Sequence, residues 1–122
     1  MTSRIEKKPD EELPVPLEWR SMLKYIADEI VAGRGPVADN IKAVDAKSLE
    51  VSLDNIRAYP DPIGSLQDIT WQSSIYVWAQ SCWEVLVDLS TLGNETSDLI
   101  LHLRVYELNN HYVFEPGLIY VP

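Results

Sequence analysis

The feature that most constrains this chain lies in its second half, where WEVLVDL at 83–89 and DLILHLRVYEL at 98–108 alternate their side chains. Successive residues of a strand point to opposite faces, so Trp83, Val85, Val87 and Leu89 share one side, as do Leu99, Leu101, Leu103 and Val105. Two such apolar rows need a common core, and a helix-rich domain would not produce them. The segments Ile75–Trp78 and Cys82–Leu89 are predicted strands joined by Ala79-Gln80-Ser81. Asp98–Leu108 is a third, and Asn109-Asn110 turns it into a fourth that starts at His111, because asparagine accepts the positive φ of a type I′ turn. That turn pairs Leu108 with His111, Val105 with Phe114 and Glu107 with Tyr112.

The first half has helical periodicity instead. Trp19, Met22, Leu23, Ile26 and Ile30 form one stripe from Leu17 onward, and Gly33 with Pro36 ends it. A short helix through Val37, Ile41 and Val44 is expected, then another capped by Ser52 over residues 53–58 and stopped by Pro60 and Pro62. Residues 61–74 are expected to form a loop with Ile69 and Trp71 anchored in the core. Residues 1–15, rich in charge, are expected to be a flexible arm before a single domain over 16–122. The resulting fold class is α+β, with N-terminal helices packed on one face of a four-stranded antiparallel β-meander.

Charge narrows the function. The chain has 122 residues and a formal net charge of −9, which argues against direct nucleic-acid binding or an electrostatic grip on anionic membrane. Residues 62–122 carry seven acids against one basic residue, Arg104, while residues 1–61 carry twelve against nine. A partner approaching the second half would meet a negative field. No apolar run approaches the roughly 20 residues that span a bilayer. The N-terminus lacks the apolar core of a secretory signal and Cys82 stands alone, so the expected setting is cytoplasmic.

The same parity defines the sheet's second face: Glu84, Leu86 and Asp88, then Asp98, Ile100, His102, Arg104 and Tyr106, then Val113 and Glu115. Arg104 is expected to face Glu115 and reach Glu84. The acidic face around Glu84, Asp88, Glu95 and Asp98 is the expected contact to another molecule, Asp88, Glu95 and Asp98 having no basic neighbour in this register, with Tyr106 or Trp78 as anchors. The apolar members of this face are expected to lie under either a partner or the 61–74 loop.

Spacing and exposure to water decide which residues can carry chemistry. Asp88 and Asp98 lie near a hairpin end, where carboxylates are solvated rather than driven to the divergent acidities that acid–base catalysis needs. Asp98 and His102 are about 13 Å apart along one strand, too far for one metal shell. Cys82 begins a hydrophobic strand and is expected to be a small buried side chain. No catalytic residue, metal or cofactor is predicted.

Residues 83–89, followed by Ser97-Asp98-Leu99-Ile100-Leu101 and a closing Ile119-Tyr120-Val121, resemble a small bacterial α+β domain family of unknown function. Its strand pair reads roughly W-x-V-D-V-D-L-W-T, then S-D-L-T-L. The resemblance covers about the last forty residues, and Leu53–Pro60 loosely. Ser90 stands where that family commonly has tryptophan, and Thr96 replaces a basic residue. In type, the chain also resembles the acidic immunity proteins of contact-dependent growth inhibition and other polymorphic toxin systems. That resemblance implies a cognate, basic, nuclease-like toxin domain as partner. The alternative from another class is a small-molecule-binding or enzymatic domain with a pocket between helix and sheet, lined by Tyr25, Tyr59 and Trp71.

Overall fold

In a computed structural model that describes residues 5–122, β2 (Ile75–Trp78), β3 (Trp83–Ser90), β4 (Thr96–Leu108) and β5 (His111–Tyr120) form an antiparallel meander. Asn109 and Asn110 have φ of 50° and 67°, as a type I′ turn requires. Leu108 pairs with His111, Glu107 with Tyr112 and Val105 with Phe114. The two inner rows are sealed: Trp83, Val85, Val87, Leu99, Leu101, Leu103 and Val105 are at most 1% exposed.

Among the described residues the sheet has five strands, not four. β1 (Leu13–Pro14) pairs with Tyr76 and Ile75 and makes the order β1-β2-β3-β4-β5. It belongs to the segment expected as a flexible arm over 1–15, of which residues 1–4 lie outside the described residues. From Ile5 onward that segment is laid against the sheet. Ile5 is buried, Trp83 Nε1 donates to the Glu6 carbonyl at 2.8 Å, Lys7 Nζ lies 3.0 Å from Glu107 Oε1, and Pro9 bridges Trp78. Charge-rich composition concealed this, because the docking uses Ile5, the Lys7 side chain and backbone groups rather than a periodic pattern.

Helix α1 (Leu17–Val31) buries Trp19, Leu23, Ile26, Ala27 and Ile30. It ends as expected at Gly33, whose φ is +85°. Gly33 N–H donates to Ile30 and Arg34 N–H to Glu29, the paired bonds of a Schellman cap. Trp19 stands at the centre of the core, with the rings of Tyr76, Trp83, Tyr112 and Phe114 edge-to-face at 5.4–6.4 Å. Its Nε1 is buried and has no hydrogen-bond partner among the described residues.

Two local expectations are corrected. No helix forms over Val37–Val44, because the backbone there is spent on β5: Phe114 N–H donates to Asn40 and Lys42 N–H to Phe114, both at 2.8 Å. Helix α2 (Ala46–Ala58) starts well before Ser52, capped by Asp45, which accepts from Ser48 N–H at 2.7 Å. Ser52, 1% exposed, instead accepts from Ile119 N–H at 3.0 Å, and Asn55 donates to the Ile119 carbonyl at 2.8 Å. The β5 edge is thus closed twice, by residues 40–42 and by α2, which removes a template for edge-to-edge association.

The connection over 61–74 contains a short 3₁₀ helix, Asp68–Gln72, and closes the free end of β3. Gly64 N–H donates to Ser90, and Leu92 N–H to Pro62. Leu66, at 3% exposure, anchors it in the core, and half-buried Trp71 packs against the core as expected, beneath the Arg20 guanidinium, whereas Ile69 is 43% exposed. Asp28 fixes Leu66 by accepting its N–H at 2.7 Å.

Candidate functional site

The second face of the sheet carries two polar groupings. The first centres on Glu84. Pairing of Glu84 with Arg104 and of Leu86 with His102 places both basic-type side chains beside one carboxylate. Arg104 Nε donates to Oε1 at 2.9 Å, and His102 Nε2 lies 2.6 Å from Oε2. Tyr120 Oη lies 3.3 Å from His102 Nδ1. A neutral imidazole with its proton on Nε2 satisfies the chain, donating to Glu84 and accepting from Tyr120. Burial alone would raise the Glu84 pKa, but the hydrogen bonds from His102 and Arg104 outweigh it and hold the carboxyl below its ordinary value.

Beside this chain, Glu115 accepts from Tyr106 Oη at 3.1 Å and from Lys42 Nζ at 3.4 Å, and Lys42 lies 4.7 Å from the Tyr106 ring centre. Arg104 pairs with Glu115 in register, as expected, but its guanidinium turns to Glu84. Between the start of α2 and β5 lies a cleft of about 360 Å³, lined in part by Lys42, Asp45, Ser48, His102, Arg104 and Glu115. Lys42, Asp45 and Tyr120 were not singled out by the sequence. They come from a loop, a cap and a strand end, and no local spacing links them to Glu84.

The second grouping holds the expected contact residues. Asp88 and Asp98 line one shallow cleft of about 390 Å³ with Ser73, Thr96, Ser97, Ile100, Val121 and Pro122. Asp88 is not free: Ser73 Oγ donates to its carboxylate, and its N–H donates to Ser74 Oγ at 2.9 Å. Asp98 is exposed, its N–H held by Tyr59 Oη at 3.0 Å. Glu95 is exposed in the β3–β4 loop, its N–H donating to Thr91 Oγ1. The structure therefore joins Asp88 to Asp98 and sets Glu84 apart, in a pair of its own.

The two expected anchors are already engaged. Trp78 is half-buried and packs edge-to-face on Trp83 at 5.1 Å, with Lys7 Nζ 5.2 Å above its ring. Tyr106 is half-buried on Glu115. Cys82 is 6% exposed, and burial followed by the charge of Glu84 pushes its thiol up, which disfavours the nucleophilic thiolate. No group of three or more potential metal ligands is found among the described residues.

Tyr25, Tyr59 and Trp71, the expected lining of the alternative pocket, each make a contact of their own. Tyr25 Oη bonds the Val37 backbone, Tyr59 holds Asp98 and Trp71 stacks under Arg20. Among the described residues, no helix is long and apolar enough to cross a membrane.

The family described as Domain of unknown function (DUF7668) matches residues 27–122. The chain belongs to that family. Its matched span holds α2, strands β2–β5 and both polar groupings of this DUF7668 domain, while the segment before α1 and most of α1 precede it. No curated protein and no solved structure matches the chain.

Proposed function

We propose that this DUF7668 chain is a cytoplasmic immunity protein that neutralises a basic toxin domain through the surface around Asp88, Glu95 and Asp98. The observation that carries the reading is charge left over after pairing. Arg104, the one basic residue of residues 62–122, is taken by Glu84, while Lys7 and Lys42 take Glu107 and Glu115. Asp68, Asp88, Glu95 and Asp98 have no ion-pair partner among the described residues. Two of them flank a cleft whose lining includes no basic side chain. Such a surface speeds encounter with a basic protein, and the apolar lining from Ile100 and Val121 supplies area to desolvate.

Co-expression with a basic toxin domain encoded beside its gene tests the reading. The wild-type chain should restore growth. The double substitution Asp88→Lys with Asp98→Lys, folded by circular dichroism, should lose at least about 100-fold in affinity and fail to rescue. Full rescue by the double variant would reject this surface.

The cleft of about 360 Å³ beside His102 favours a second reading, a small-molecule-binding or enzymatic domain. A metabolite screen by thermal shift addresses it. A compound that raises Tm in the wild type but not in His102→Ala would support the cleft, and the absence of such a compound would remove it.

A further inference from the structure

The end of the inner face nearest Trp83 is filled by the chain itself. Residues 5–9 lie there without helix or strand. Four of their features are read. Ile5 is 9% exposed, the Glu6 carbonyl accepts from Trp83 Nε1 at 2.8 Å, and Pro9 bridges Trp78 in parallel. Lys7 Nζ sits 5.2 and 5.6 Å from the ring centres of Trp78 and Trp83 and 3.0 Å from Glu107 Oε1. Two aromatic faces and a carboxylate around an ammonium form a lysine-reading arrangement, and the indole N–H fixes the backbone one residue earlier. Trp78, Trp83 and Glu107 all lie within the family-matched residues, and the occupant lies before them.

We propose that this groove is a binding site for an extended, lysine-bearing segment of a partner protein, and that residues 5–9 are its tethered occupant. The Lys7 side chain is 46% exposed and that of Glu107 24%, so their ion pair is weak in water. Tethering compensates, because a short linker gives the arm an effective concentration in roughly the millimolar range. A partner segment with the same lysine and additional contacts elsewhere displaces it. The groove is separate from the Asp88–Asp98 cleft and does not depend on the immunity reading.

The test uses the full chain and a synthetic peptide of residues 5–10, Ile-Glu-Lys-Lys-Pro-Asp, titrated while tryptophan fluorescence is recorded. Lys7→Ala in the chain loosens the resident arm, so the peptide should bind this variant at least about tenfold more tightly than the wild type. Binding should vanish when the peptide's first lysine is alanine, and when Glu107→Gln is added to the chain. Equal affinity for wild type and Lys7→Ala, or indifference to the peptide lysine or to Glu107, would overturn the proposal. A concentration-dependent wild-type dimer that the peptide does not dissociate would also overturn it, by assigning the groove to the arm of a second copy.

Discussion

Gly117 shows how a single residue can be set by a neighbour far away in sequence. Between the pairs Leu103–Pro116 and Leu101–Ile119, β5 has one residue more than β4. This bulge restores Ile119 to the core side after Phe114, and it presses Gly117 against the backbone of His102. A Cβ at Gly117 would stand 2.6 Å from the His102 carbonyl oxygen. Gly117→Ala should therefore cost about 1–3 kcal/mol, read as a lower denaturation midpoint in urea. Glu84 gives a pH prediction. Its folded-state pKa lies below the ordinary 4.5, so its ionised form favours the fold. That contribution is present above the unfolded value and is lost as pH falls through the folded one. Glu84→Gln should flatten the decline of Tm below about pH 4.5; an unchanged acid limb would assign the loss to other carboxylates.

At the scale of elements, the β5 edge joins the two halves of the chain. Ser52 and Asn55 hold the backbone of Ile119, and Asn40 and Lys42 hold that of Phe114. Pro116 lies between these two clamps, at an edge position where a missing N–H costs little. Ser52→Ala leaves the buried Ile119 N–H without its acceptor, so stability should fall by about 1–3 kcal/mol and exchange of the Ile119 amide should quicken. Unaltered exchange at that amide would show that the clamp is dispensable. Serine before a helical run has the chemistry of a cap, which is why Ser52 is expected in that role. Its hydroxyl serves a strand instead, because Asp45 already caps the helix and position 52 faces β5.

For the whole molecule, charge and topology act together. Of the surplus acids of the second half, Asp88 and Asp98 are held on neighbouring strands of the sheet, while Glu95 lies in the loop between them. Binding of a basic partner to the Asp88–Asp98 surface should weaken steeply as salt rises, chiefly through a slower association rate. A salt-independent association rate would point to an apolar interface elsewhere. Much of this molecule was legible in its residues. The alternation of Trp83–Leu89 and Leu99–Val105 determined the meander, its register through Asn109-Asn110 and the division into a core face and a charged face, because strand parity is a local property. The Gly33 cap and the Glu84–Arg104 pair followed from the same kind of rule. The docking of Ile5–Pro14, the cap at Asp45, the clamp from Ser52 and the convergence of Lys42, Tyr106 and Glu115 were decided only by tertiary structure. Each joins groups about 60 to 100 residues apart or selects between equally good local candidates, and no period in the sequence records which backbone amide or carboxylate lies beside which side chain once the chain has closed on itself.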